Sequence, residues 1–263
     1  MPSSYAHYRF GSQVLDLMPA DIREPILRNR ALFDAGLQGP DFLFFHSLFK
    51  TGPLSRLGTA YHEKSGREFF TNACRHLHRN ASEPAFSYLH GLLAHYCLDS
   101  ACHPFVYRVA EDMDTAHVEL ETEFDRYLLA LDGCKKPHEA STSHSMKLQQ
   151  CDIATVCGFY PDVSPADMTR CVRNMALSHR LLALPTRIGR SMVEGVTRLA
   201  GGNAAAKVMT IGPHPKWSHL DEKLLELYQQ ALRKYPVHLE QLSSHMASGT
   251  PLGDAFHVNF NRG

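Results

Sequence analysis

The chain is 263 residues long, 44% hydrophobic and 21% charged, which suits a globular domain with a substantial core. Lysine plus arginine and aspartate plus glutamate balance at 27 each, so no basic excess is available to neutralise a nucleic-acid backbone, and no stable nucleic-acid complex is expected. Seventeen histidines are the one unusual count, and they point to metal ligation or a pH response.

The opening stretch MPSSYAHYRFGSQVL has no basic region followed by a long apolar run, and no segment offers ~18 uninterrupted apolar residues for a membrane span. Seven cysteines (Cys74, Cys97, Cys102, Cys134, Cys151, Cys157, Cys171) are odd in number and form no CxxC pair. They read as reduced thiols in the cytoplasm, or as a secreted protein's thiols if the chain is a mature form.

Helical spacing recurs from end to end while strand alternation is almost absent, so the chain reads as all-α. After the amphipathic start around His7, Asp21 with Glu24 suggests a capping box before ILRNRALF. Asp34–Asp41, with two glycines and a proline, predicts a loop. A helix is expected over about 59–78, with His62 in its first turns. Pro84 suits the first turn of the next helix, which Pro104 should end near His103. Asp114 or Thr115 can cap a helix stopped by Gly133, and 135–146 reads as a polar linker. Beyond it, helices are predicted over 164–184 and 186–199, then LDEKLLELYQQALRKY behind a Ser218/Asp221 box, then about 237–246 and a polar tail. One all-α domain covers 1–263, with the chemistry-bearing half at 1–131 and further helices over 147–263.

Within the apolar helix LHGLLAHYCLDSACHPF, His95, Asp99 and His103 fall four residues apart and share a face. The next helix carries His117 and Glu121, again at i, i+4. Surface pairing is the ordinary reading of such spacing. The setting of Leu92, Leu93 and Leu98 argues otherwise, because a buried aspartate without a charged partner is costly. Neighbouring helices bearing inward imidazoles and carboxylates supply the nitrogen and oxygen ligands that zinc accepts. Phe42-Leu43-Phe44-Phe45, next to Asp41, reads as core packing, with a lipid-facing role as the other reading.

The pattern H-Y-x-L-D-x-x-x-H-P, then H-x-x-x-E, then Phe124-Asp125, resembles the zinc-dependent phospholipase C family, which shares a helical fold and a three-zinc cluster with P1-type nucleases. Upstream, Ala6-His7-Tyr8, Gly39-Pro40-Asp41 and Tyr61-His62-Glu63 resemble further ligand stretches of that family. The resemblance implies one zinc on Asp41, His62, His95 and Asp99, a second on His103, His117 and Glu121, and a third site sharing Asp99 and taking His7. It also implies Asp41 as general base in a phospholipase C-like hydrolysis of a phosphodiester by metal-activated water. The substrate would be a phospholipid or smaller phosphoester, met in transient contact with a membrane surface. Two departures stand out. Secreted members use their processed N-terminal residue as a ligand, whereas here six residues precede His7 and the chain opens Met-Pro. No acid occurs before Asp16, so a choline preference does not follow. The rival readings are a single-strand nuclease or nucleotidase on the same fold and a non-catalytic protein with structural zinc. A di-iron bundle fits less well, since His117 and Glu121 stand in the wrong order for its Glu-x-x-His pairs.

Overall fold

The computed structural model describes residues 4–47, 51–183, 195 and 208–261. In chain order these form α1 (Ser4–Leu15), α2 (Ala20–Arg28), α3 (Arg30–Gly36), a 3-10 turn (Gly39–Phe45), α4 (Pro53–Glu63), α5 (Gly66–Arg79), α6 (Glu83–Asp112), α7 (His117–Leu131), α8 (Gln150–Cys157), α9 (Pro165–Leu182) and α10 (Asp221–Ser248). Among the described residues the only strand-like feature is an isolated bridge between Ser65 and Asn259, so the fold is all-α as its periodicity predicts. No described helix is long and apolar enough to cross a membrane.

Helix α6 is the axis of the molecule. Ser82 caps it by accepting a bond from the Ala85 amide, and Pro84 lies in its first turn, where a missing N–H costs nothing. From Tyr88 to Asp99 every side chain is buried, because α1, α2, α3, α5, α7, α8, α10 and the 3-10 turn all pack on it. A helix surrounded on all sides has no polar face, so His95 and Asp99 sit in its sequence as exceptions that require partners. The closest crossing is with α3. A methyl on Gly36 would lie 2.8 Å from Gly91 Cα, and one on Gly91 would overlap the Phe33 carbonyl. The two backbones therefore touch, which brings the following 3-10 turn against the middle of α6.

Several boundaries differ from the sequence expectation. Pro104 does not end α6, and Pro236 does not divide α10; both helices run through. Each proline ring lies exposed, so the carbonyl it frees four residues earlier faces the wet side of the helix, where water can bond it. Asp34 belongs to α3 and Asp41 to the 3-10 turn rather than to a loop. The helix expected over 59–78 is two helices. Ser65 breaks it by accepting from the Glu68 amide as the cap of α5, which leaves His62 in the last turn of α4. Asp21 and Ser218 make no side-chain cap on the helices that follow them. The helix expected over 186–199 lies outside the described residues, apart from Gly195. The phenylalanine run is core: Phe42 and Phe45 are buried, and Phe44 packs its ring 5.6 Å from that of His62.

Candidate metal centre

Three elements on one side of α6 converge on Asp99. Helix α1 brings His7, the 3-10 turn brings Asp41, and the end of α4 brings His62. The α6 residues His95, Asp99 and His103 meet them, and all six are 3% exposed or less. His7 Nε2 lies 3.1 Å from one Asp99 oxygen and His95 Nε2 lies 3.1 Å from the other. His62 Nε2 is 3.1 Å from Asp41 Oδ1 and 3.8 Å from Asp99. His103 Nε2 lies 3.7 Å from Asp99 and 3.5 Å from Glu121 on α7. The His7 and His95 rings stack at 4.3 Å.

The outward nitrogens reveal which ring atoms carry protons. His95 Nδ1 lies 3.1 Å from the Leu37 carbonyl, His62 Nδ1 2.8 Å from that of Gly58, and His103 Nδ1 2.8 Å from that of Phe260. A carbonyl can only accept, so each Nδ1 is the donor, and in the neutral ring each Nε2 presents a lone pair. Those lone pairs point at carboxylate oxygens. Both oxygens of Asp99, Oδ1 of Asp41 and Nε2 of His7, His62 and His95 are buried without a hydrogen-bond partner among the described residues. Acceptor facing acceptor in a dry interior is repulsive unless a cation lies between them. Imidazole nitrogen held by an outer carbonyl, opposite carboxylate oxygen, is the donor set of zinc.

The electrostatics agree. Burial alone would raise the Asp99 carboxyl, but the His103 and His95 rings hold it well below the usual carboxylate range. Asp41 is likewise lowered against burial, mainly by His62, and Glu121 is lowered with His117 and His103 contributing. His95 is raised, because Asp99 and Asp41 outweigh its burial. Its stacked neighbour His7 is pushed down to about 4, first by burial and then by His95.

The eight candidate residues are not equally assembled. His7, His95 and Asp99 form one group whose ligand atoms lie within 4.8 Å of one another, and Asp41, His62 and His95 form another. His103 and Glu121 approach each other. His117, the first residue of α7, is half-buried and packs its ring 4.9 Å from that of Tyr107. Met1 and Pro2, relevant to the third site, lie outside the described residues.

Supports outside the eight candidate ligands also appear. Asp125 on α7 accepts from the amides of Tyr5 (3.0 Å) and Ala6 (2.8 Å), fixing the start of α1 one residue before His7. Burial pushes its carboxyl up to about 8, against those two bonds. Phe124-Asp125 was the available signal. The carbonyls of Leu37, Gly58 and Phe260 had none, since every residue has one.

These features define a buried site on a helical scaffold that could hold metal ions. The model of the zinc dependent phospholipase C family matches residues 6–164, and the chain belongs to that family. No curated protein and no solved structure matches the chain. Membership implies zinc-dependent hydrolysis of a phospholipid phosphoester, and the buried donors fit zinc.

Proposed function

We propose that this protein is a phospholipase C-type phosphodiesterase in which Asp41, His62, His95 and Asp99 hold one zinc and His103, His117 and Glu121 a second, with His7 and Asp99 available to a third. The single observation that carries this reading is the ring of lone pairs on Nε2 and carboxylate oxygens facing one another, with the outer nitrogens of His62, His95 and His103 bonded to main-chain carbonyls. Zinc bound there supplies Lewis-acid polarisation of a phosphoryl oxygen and acidifies a water.

The chain's own residues do the rest. Asp41 stays ionised beside His62 and is positioned to accept the proton of an attacking water. Phe44 and Phe260 stand against the His62 ring and exclude bulk solvent from that side. His117, half-buried at the start of α7, is the most solvent-accessible of the proposed ligands. The same proposal includes transient contact with a lipid surface, where the substrate resides, and a cytoplasmic location consistent with seven free thiols.

The test combines metal content by mass with release of phosphorylated headgroup from phospholipid, run alongside single-stranded DNA. Wild type should carry at least two zinc equivalents and lose activity on chelation. Asp99→Asn should lose zinc and more than about a hundredfold in activity, beyond what loss of an outer support costs. Less than one equivalent of any transition metal in wild type would sink the reading, and cleavage of DNA alone would replace it with the nuclease.

A further inference from the structure

Helix α7 carries three polar side chains at i, i+4 and i+8: His117, Glu121 and Asp125. The row His95, Asp99 and His103 on α6 has the same spacing, and its three members meet in the metal centre. Spacing alone would therefore make Asp125 a further ligand. Its contacts give it another task. One carboxylate oxygen takes the Tyr5 amide at 3.0 Å and the other takes the Ala6 amide at 2.8 Å. Its electrostatics also set it apart. Asp41, Asp99 and Glu121 are lowered with imidazoles contributing, whereas burial pushes Asp125 up and Glu121 adds to the rise.

The two amides belong to the first turn of α1, whose donors have no acceptor within the helix. Asp125 closes both of them from a neighbouring helix, and its charge suits the positive end of α1. The next residue is His7. The rings of His62, His95 and His103 are each aimed by a main-chain carbonyl bonded to Nδ1. His7 Nδ1, in contrast, is buried without a hydrogen-bond partner among the described residues. What holds His7 Nε2 3.1 Å from Asp99 is the seat of its own main chain, together with stacking on the His95 ring. Asp132, just past the end of α7, also reaches α1, but only through side chains. It accepts from Arg9 at 2.7 and 2.9 Å and from the Tyr5 hydroxyl at 2.7 Å.

Resting on the reading of His7 as a zinc ligand, we propose that Asp125 is the positioning residue of His7. Through two main-chain amides it supplies the orientation that the other imidazoles take from carbonyls. The seat of α1 on α7 thereby sets the affinity of the site that His7 and Asp99 share.

The experiment is a double-mutant cycle on the full chain. Zinc affinity is measured by competition with a chelating dye above pH 8, where the Asp125 carboxyl is ionised. Asp125→Asn keeps the shape but offers one acceptor and turns an NH2 toward the second amide. Asp125→Ser, with no such clash, is measured in parallel, and urea unfolding of the zinc-free proteins reports stability separately. His7→Ala should weaken zinc binding, and either Asp125 variant should weaken it about tenfold or more. Each Asp125 variant combined with His7→Ala should bind within about twofold of His7→Ala alone, because the residues act through one ligand. Asp132→Asn should stay within about twofold of wild type, whatever stability it loses. Losses that multiply in the double variants would overturn the proposal with the zinc reading intact. Unchanged affinity in His7→Ala, or a loss in Asp132→Asn equal to that in Asp125→Asn, would do the same. Absence of bound zinc in wild type would sink the metal reading itself, and this proposal with it.

Discussion

His90 lies one turn and a residue before His95, fully buried, with Nδ1 2.8 Å from the Phe86 carbonyl and its ring against that of Phe86. Burial pushes it from its ordinary 6.5 to about 4, against the carbonyl bond. The folded protein therefore keeps His90 neutral, while the unfolded chain takes up a proton below pH 6.5. The stability this residue contributes is complete above pH 6.5 and falls as the pH drops toward 4, by up to about 3 kcal/mol at 1.36 kcal/mol per pH unit. His90→Leu should flatten the fall in urea-unfolding free energy over that window by about this amount; a variant with the wild-type slope would refute it. At this scale the sequence was informative where ligands share a helix. His95, Asp99 and His103 were legible from their spacing, because a fixed helical period turns spacing into a common face. The carbonyls that orient the rings were illegible, since main-chain acceptors leave no mark in composition.

The 3-10 turn shows how an element aims a ligand. Gly39 has φ +52, and a methyl built on it would overlap the His95 ring. Gly133, after α7, has φ +83 with nothing within 4 Å of its missing side chain. Both positions penalise alanine by about 1–2 kcal/mol through the left-handed backbone, but only Gly39→Ala displaces a ligand. Gly39→Ala should lose at least one zinc equivalent with helix content unchanged, while Gly133→Ala should only lower the melting temperature. Equal zinc in both variants would show that the ring has room to move. Pro84 was read correctly as lying in the first turn of α6, and the helix expected over 164–184 is α9, capped by Ser164. Pro104 and Pro236 misled because a proline's cost depends on which face it occupies, and that is a property of packing. The split at Ser65 was missed although the polar run 62–68 interrupts the apolar period there and Ser65-Gly66 stands in its middle.

The whole molecule closes on the site from a part of the chain beyond the family-matched span. Residues 255–261, read from sequence as a polar tail, wrap the lower end of α4 and the middle of α6. The Phe260 amide donates to the His62 carbonyl at 3.1 Å, and its carbonyl accepts from His103 Nδ1 at 2.8 Å. The Gly66 amide donates to the Val258 carbonyl at 2.8 Å, and the Tyr96 hydroxyl lies 3.1 Å from the carbonyls of both Ala255 and Val258. The Phe260 ring is fully buried, 5.5 Å from His62 and 5.9 Å from His95. Ending the chain after Gly253 removes none of the eight candidate ligands but frees His103 to rotate and opens the His62 side to water. Zinc affinity should fall about 10–100-fold, the cost of removing an outer support from a ligating imidazole. Phe260→Leu keeps both main-chain bonds and most of the volume, so it should retain zinc and lose only packing stability. Thermal unfolding with and without zinc separates the two. Because metal bound to the folded state adds RT ln(1 + [L]/Kd), the zinc-induced rise in melting temperature should shrink in the truncated chain and persist in Phe260→Leu. An undiminished rise in the truncated chain would mean that the tail merely covers the centre and does not orient its ligands.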